Sequence, residues 1–408
     1  MNFIRSYFNS FKGLAREIWI FALVILINRS GLMVTTFLAV YLHTEFGYSI
    51  AESGSIMTFY GLGSLAGVWT SGRIADKVGY LKIQFFALVG SGVFILLMQF
   101  ADSYWDFAAL LFLAVFCGDM YRPANLASIT QFSKFENRTR SLALVRLAIN
   151  LGIAIGPAIG GFLIIQVGYE ILFFVDGLTC IAAGIVLMSL LGLKDKTVEE
   201  TREQKAVKKQ KVKFPKSFKW LMASNFLWTF AFFQIIYTYP LFMKGELNFA
   251  EDLIGFTFTL NGLMIFLLEM PIVKMYEKYN KRRILYIGSV LCAISFVFLA
   301  ISIPYGFANP WVIGVPLLYM LFITIGEIFY LPFAGAMAMN MAPKEKAAKF
   351  MGQYSLVFSF VHVITPFLGA AFADYFGFQK LWIVMFFIMI SVIFFARKIS
   401  NEKATSSE

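Results

Sequence analysis

The fold is decided by Gly118–Arg138, which reads G-D-M-Y-R-P-A-N-L-A-S-I-T-Q-F-S-K-F-E-N-R, and by N-L-G-I-A-I-G-P-A-I-G-G at Asn150–Gly161. The proline and glycine spacing of this stretch returns about 200 residues later, which is too long a period for a solenoid. The matched positions are Pro123 and Pro332, Glu136 and Glu345, Pro157 and Pro366, Gly160 and Gly369, and Gly168 and Gly377, with Gly54 and Gly255, and Gly61 and Gly262, upstream. The repeat predicts two homologous halves.

The composition indicates a membrane protein. The 408 residues are 59% hydrophobic and only 14% charged, with 47 Phe. Runs of about 20 apolar residues are long enough to cross a bilayer as helices. The three cysteines and two histidines show no metal-ligand or disulfide spacing. We therefore expect an all-α membrane protein with no metal site and no cofactor.

Twelve apolar segments are visible along the chain. They cover 18–42, 52–71, 81–101, 105–131, 141–166, 169–193, 217–243, 252–274, 284–304, 311–341, 347–374 and 378–398. Together with the repeat, they predict twelve transmembrane helices in two pseudo-symmetric six-helix halves, as in transporters with parallel repeats. The expected divisions are an N-terminal half at 1–193, a basic linker at 194–216 and a C-terminal half at 217–408.

The basic residues predict the topology. Most of the 35 Lys and Arg residues fall in the N-terminus, the even-numbered loops, the linker or the C-terminus, whereas only Lys244 and Lys380 fall in the opposite loops. By the positive-inside rule, both termini and the linker are cytoplasmic in a multi-pass plasma (inner) membrane protein. The net charge of +11 therefore favours solvated loops or contact with anionic membrane lipids over nucleic acid.

Away from their ends, the predicted spans contain seven Arg, Asp and Glu residues. Such groups are costly in hydrocarbon unless they are paired or hydrated, so they are candidates for function. They are Arg29, Arg122, Arg146, Asp119, Asp176, Glu269 and Glu327. Helix rise places Arg29, Asp119 and Glu327 near mid-span, Arg146 and Glu269 nearer the cytoplasmic mouth, and Asp176 close to the outer end of the sixth span.

A charged motif between the second and third spans resembles the loop signature of the major facilitator superfamily. It reads G-R-I-A-D-K-V-G at Gly72–Gly79, although Tyr80 and Leu81 stand where a basic pair is usual. The second half carries a weaker copy that begins with Glu277. The resemblance implies a transporter in which Gly72, Asp76, Lys77, Gly79 and Glu277 form a cytoplasmic gate. From its position near the mouth, we assign Glu269 to the same gate.

A small-residue motif on the fifth span resembles the antiporter signature of drug/proton exporters. Its residues are Gly152, Gly156, Pro157, Gly160 and Gly161. Small residues four apart let helices approach closely, and proline adds a kink. The resemblance implies a sliding contact between the two halves.

The tenth span resembles two groups of the superfamily. Gly326-Glu327 followed by Pro332 is similar to multidrug/proton antiporters and also to proton-coupled oligopeptide transporters. Arg29 and Asn150 echo the peptide group as well. However, Leu26 and Asn28 replace the two glutamates of that group's first-helix motif, and Arg146 replaces a tyrosine. Proton-coupled export of amphipathic molecules therefore leads, and proton-coupled uptake of small peptides or other polar nutrients is the alternative.

The same residues suggest a division of roles. Glu327 is the expected proton-coupling acid, with Asp119 as the second candidate, because burial makes a carboxylate sensitive to its surroundings. Arg122 and Arg146 complete a cluster with Asp119 that is either functional or a structural charge network. Arg29, Asn150 and Tyr237 are expected to line the substrate cavity.

Other classes of protein fit the sequence less well. No P-loop, catalytic triad or paired-carboxylate hydrolase motif is present, so an enzyme is not expected. A non-transporting receptor or scaffold would have no need of mid-span acids. The expected partners are a small-molecule substrate, protons and membrane lipids, and the expected state is a monomer.

The topology can be tested with single cysteines at Ser103 and Glu203 in a background without Cys117, Cys180 and Cys292. An impermeant thiol reagent added to intact cells should label position 103 and leave position 203 unlabelled. The opposite labelling would overturn the predicted orientation.

Overall fold

The computed structural model describes residues 13–192, 213–302, 311–343 and 346–399. Most of the expected linker at 194–216, including Glu203, and the repeat residue Glu345 lie outside these ranges. Within them, the secondary structure is helical throughout and no strand is present. The chain therefore has the all-α architecture that its apolar runs predict.

Fifteen α-helices are present in the described ranges. They are α1 (Arg16–Ser30), α2 (Val34–Thr44), α3 (Ile50–Val78), α4 (Tyr80–Leu97), α5 (Tyr104–Phe132), α6 (Arg138–Val167), α7 (Ile171–Leu191), α8 (Lys216–Phe232), α9 (Gln234–Tyr237), α10 (Tyr239–Gly245), α11 (Glu251–Tyr276), α12 (Lys281–Ser302), α13 (Trp311–Asn340), α14 (Ala347–Phe376) and α15 (Phe378–Arg397). A short 3₁₀ turn at Met98–Phe100 follows α4, and another at Phe135–Asn137 precedes α6.

All twelve predicted segments correspond to helical stretches, but two of them are broken. The first segment divides into α1 and α2, and the seventh divides into α8, α9 and α10. By length and composition, eleven helical stretches in the described residues can cross a membrane. The stretch that is not among them is α3, a 29-residue helix with several Gly and Ser residues and charged residues at both ends.

The motif at Gly72–Gly79 is helical, where a loop was expected. Helix α3 continues to Val78, and α4 begins at Tyr80, so the connection is the single residue Gly79. Its φ of 103° lies in the region that favours glycine, which allows this one-residue reversal. Gly72 and Lys77 are exposed on the last turns of α3, and the side chain of Asp76 lies outside the described residues.

The chain groups into two compact units. Unit 1 comprises Met1–Tyr41, Phe59–Val198 and Ala250–Leu263, and unit 2 comprises Leu42–Thr58, Glu199–Phe249 and Met264–Glu408. Each unit thus contains the start of one long helix that the repeat assigns to the other half: unit 1 contains the start of α11, and unit 2 the start of α3. The half boundaries at 193 and 217 stay a prediction.

The repeat is visible in the packing inside each unit. In unit 1, a methyl group built on Gly255 would lie 2.2 Å from the carbonyl oxygen of Pro157. In unit 2, a methyl group on Gly54 would lie 2.6 Å from the carbonyl oxygen of Pro366. These four residues are two of the pairs matched by the sequence repeat. The glycine at each position permits helix-to-helix contact at backbone distance.

We expect Gly255→Ala to destabilise the protein, because the added methyl group would meet backbone atoms that cannot turn aside. Overpacking of this kind costs about 1–3 kcal/mol. The thermal midpoint of purified protein in detergent should fall. Gly352→Ala on α14 is the matched control, since a methyl group there meets nothing within 4 Å. Equal midpoints for the two variants would contradict the close approach.

Candidate functional site

The first feature of the site is the break between α1 and α2. Helix α1 ends at Ser30 and α2 begins at Val34, so the first amides of α2 have no partner within their own helix. The carboxylate of Asp176 on α7 supplies one. Its Oδ2 accepts hydrogen bonds from the backbone N–H of Met33 (3.3 Å) and Val34 (3.1 Å). A carboxylate at a helix N-terminus is also favoured by the helix dipole.

The small-residue motif of α6 packs against this break. A methyl group on Gly152 would lie 2.5 Å from Cβ of Arg29, and one on Gly160 would lie 3.0 Å from Cβ of Met33. A methyl group on Gly156 would meet three backbone carbonyl oxygens of residues 29–32 at 3.2 Å each. These three glycines therefore bring α6 against the interrupted backbone.

The rest of the motif faces a different helix. A methyl group on Gly161 would lie 2.2 Å from the carbonyl oxygen of Glu251, and Pro157 is the contact of Gly255. The Thr259 hydroxyl donates to the carbonyl oxygen of Ala154 at 2.7 Å. Two faces of α6 thus have two partners in unit 1, namely the α1–α2 break and the start of α11.

A cavity of about 70 Å³ with both polar and apolar lining lies beside the break, inside unit 1. One water needs about 10–15 Å³ of such volume, so the cavity has room for more than one. Its charged and polar lining comes from α1, α2, α3, α4, α5 and α7, and comprises Asn28, Arg29, Thr35, Tyr60, Ser91, Asp119, Asp176 and Cys180. The Nε atom of Arg29 is buried there without a hydrogen-bond partner.

Asp119 forms the second feature of the cavity wall. It is 5% exposed, and its Oδ1 pairs with Nε of Arg122 at 3.0 Å, one helical turn away. Its Oδ2 accepts a hydrogen bond from the Ser64 hydroxyl on α3. Arg122 itself is half-exposed, and Arg146 on α6 is exposed. The first two members of the predicted cluster are thus in contact, and Asn150 is half-buried one turn after Arg146 on α6.

Glu327 lies in unit 2, near the middle of the 30-residue helix α13, and is half-buried. Its neighbour Gly326 packs closely on α12, where a methyl group would lie 2.4 Å from Sγ of Cys292. One turn later, the ring of Tyr330 stacks on Trp228 with centroids 4.3 Å apart, and its hydroxyl is 3.0 Å from Ser224. Glu327 therefore follows a close contact with α12 and precedes an aromatic stack by one turn.

Three other predicted residues, Tyr237, Glu269 and Glu277, belong to unit 2. Tyr237 is 2% exposed, and its hydroxyl lies 2.6 Å from Nδ1 of His362, whose ring stacks on Phe233. Glu269 is 6% exposed on α11, and Glu277 is exposed just beyond its end. Tyr237 thus belongs to a polar contact at the break between α8 and α10.

Sequence reasoning counted Asp176 among the charged residues of the spans but gave it no role in the site. Its position near the end of a span indicated a peripheral residue, yet it is 2% exposed and lines the same cavity as Arg29 and Asp119. Two features of the sequence could have indicated this contact. A lone Asp in an otherwise apolar helix needs a partner, and Gly31 is the only glycine in the first predicted span, where it favours a break.

Metal chemistry has no evident ligand set here. Across the described ranges, His, Cys, Asp and Glu side chains do not group in threes suitable for a metal ion.

Comparison with known proteins gives the class. The family model of the Major Facilitator Superfamily matches residues 18–250 and 221–407. The chain is 22% identical over 396 residues to a "Na(+), Li(+), K(+)/H(+) antiporter" of Planococcus maritimus, covering 88% of this chain and 89% of that protein. It is 23% identical over 331 residues to "Multidrug resistance protein MdtG" of Serratia proteamaculans (strain 568), covering 78% of this chain and 76% of that protein.

Among solved structures, a POT family transporter in complex with 5-aminolevulinic acid has the same fold. The TM-score is 0.81 at 16% identity, covering 96% of this chain and 98% of that chain. The chain belongs to the Major Facilitator Superfamily. It is a multi-pass integral membrane transporter with a small-molecule substrate, and not an enzyme.

We expect Ser64→Ala to lower the thermal midpoint, because Asp119 would lose a buried donor. A hydrogen bond to a charged group contributes about 1.5–3 kcal/mol. Ser189→Ala is the control, since that exposed hydroxyl donates only within its own helix. A midpoint for Ser64→Ala equal to that of the control would show that the Asp119 contact adds no stability.

Proposed function

We propose that this transporter exports amphipathic or hydrophobic small molecules in exchange for protons, by alternating access. Glu327 is the proposed proton-coupling acid. The observation that carries this assignment is a half-buried carboxylate near the middle of α13, between the Cys292 contact and the Trp228–Tyr330 stack. An ionisable group at that depth is costly unless it is paired or hydrated, and such groups commonly mark proton or substrate sites.

The relatives support the coupling mode. One is a cation/H(+) antiporter and another is a multidrug resistance protein, and both match most of this chain. Amphipathic cations and other amphipathic or hydrophobic compounds are therefore the substrates to test first.

Peptide uptake has weaker support. The POT family likeness, at 16% identity, concerns the fold. The missing first-helix glutamates, replaced by Leu26 and Asn28, still argue against a peptide-type mechanism.

The gate and the membrane setting complete the proposal. Gly72, Asp76, Lys77 and Gly79, with Glu269 and Glu277 in the second half, would form contacts on the cytoplasmic side that open and close in each cycle. Both termini would be cytoplasmic, in the plasma (inner) membrane. The basic linker would contact anionic lipid, and the transporter would work as a monomer.

The test is transport by Glu327→Gln in proteoliposomes, with ethidium and carboxyfluorescein as a cationic and an anionic amphipathic dye. Glutamine keeps the shape and hydrogen bonding of the side chain but cannot exchange a proton. We expect uphill movement driven by an imposed pH difference to be lost, while dye–dye exchange across the membrane continues.

Glu170→Gln is the matched control, because Glu170 is an exposed carboxylate at the start of α7. Its transport should equal that of the wild type. If Glu327→Gln still concentrates dye when only a pH difference is applied, Glu327 is not the coupling acid.

A further inference from the structure

Of the two carboxylates that line the unit 1 cavity, Asp119 has its charge compensated. Arg122 lies at ion-pair distance from one oxygen, and the Ser64 hydroxyl donates to the other. Each oxygen of Asp119 therefore has a charged or hydroxyl partner.

Asp176 differs from Asp119 in the kind of groups that contact it. Its oxygens accept only from neutral donors, which are the amides of Met33 and Val34 and the thiol of Cys180. It is 2% exposed, and no cation in the described part of the chain lies at ion-pair distance from it. Burial without a contacting cation disfavours the ionised carboxylate, whereas the two amides and the start of α2 favour it, so both protonation states are accessible to Asp176.

The fold itself does not require a carboxylate at this position. In the second half, Met385 occupies the position that the repeat matches to Asp176, and Gln234 matches Met33. The seventh span is broken there too, and Gly369 packs on Gln234 as Gly160 packs on Met33. Gln234 and Thr238 bond to each other at 2.7 Å instead, so the second break is held without an acid.

The cavity has room for water beside Asp176. Its volume of about 70 Å³ exceeds the roughly 10–15 Å³ that one water needs, and water is stable only where polar partners are available. Those partners include the unpartnered Nε of Arg29 and the hydroxyl of Tyr60. Tyr60 lies within electrostatic range of Asp119, Arg122, Arg29 and Asp176.

We propose that Asp176 is a proton-binding site, separate from Glu327, which exchanges its proton through water in this cavity. The charged and titratable groups that face it are Arg29 from α1, Tyr60 from α3, Asp119 with Arg122 from α5, and Cys180 from its own helix. From α6, the glycines 152 and 156 face the break and bring no charge.

The proton moves between the Asp176 carboxylate and cavity water, and no other bond changes. When Asp176 is protonated, its hydrogen bonds to the first amides of α2 weaken, because a neutral acid is a poorer acceptor. Proton binding therefore acts on the break that positions Arg29.

The experiment is difference infrared spectroscopy of purified, detergent-solubilised protein between pH 5 and pH 9. We expect the wild-type spectra to contain, besides any band from Glu327, a C=O stretching band of protonated Asp176 that disappears as the pH rises. Asp176→Asn should lose this component, while Glu170→Gln and Glu327→Gln should keep it, so the Glu327→Gln background isolates it. Tyr60→Phe should keep the band but shift its titration midpoint, because one polar cavity group is removed.

Two further variants separate loss of the acid from misfolding of the protein. In the Glu327→Gln background, Asp176→Glu retains an acid at this position, so it should show a titrating band, whereas Asp176→Met, the residue of the second half, should lack one. In that background, a band that persists in Asp176→Asn, or no band when Asp176 is intact, would overturn the proposal.

The two proposals can fail separately. If the wild type shows proton-driven dye transport but no Asp176 band, the proposed function stands and the Asp176 proposal fails. If an Asp176 band is present but transport is not driven by protons, the Asp176 proposal stands and the proposed function fails.

Discussion

The interrupted backbone of the first span is the constraint on which the unit 1 site depends. Within a bilayer, N–H groups without a partner are costly, and breaks persist only where other groups bond to them. Here the carboxylate of Asp176 accepts the first amides of α2. The glycines of α6 let a neighbouring helix cover the same turn at backbone distance. The cavity and the position of Arg29 follow from that arrangement.

Comparison of the two halves of the internal repeat distinguishes the features that both halves share from those that occur in one half. Both halves have a broken first helix, a glycine that covers the break, and a glycine-to-proline backbone contact. Among the described residues, the first break has an acid, Asp176, where the second half has Met385. Each half also has an acid near mid-span, which is Asp119 on α5 in the first half and Glu327 on α13 in the second. The shared features thus belong to the architecture of the fold, and the residues that differ between the halves are candidates for specific chemistry.

Much of the fold was predictable because it depends on local patterns. Apolar runs of the right length predicted the spans, and the matched prolines and glycines predicted the repeat; membership in the Major Facilitator Superfamily confirms the fold. The ion pair of Asp119 with Arg122 also followed from helical spacing.

Tertiary features were not predictable in the same way. The break at Gly31 has no proline to announce it, and a continuous helix was expected at 18–42. Asp176 gains its partners from a turn more than 140 residues away in sequence, so its own neighbourhood indicated only a peripheral acid. The motif at Gly72–Gly79 was expected as a loop because of its charges, but glycine at position 79 allows a reversal in one residue.

The central claim is that proton movement and substrate movement are coupled in this protein. The most direct measurement records both fluxes at once in proteoliposomes, with a pH-sensitive dye trapped inside and a transported amphipathic dye added outside. The account predicts that adding the substrate starts a proton movement in the opposite direction, and that the initial rates of the two rise together with substrate concentration. Substrate transport with no accompanying proton movement would contradict it.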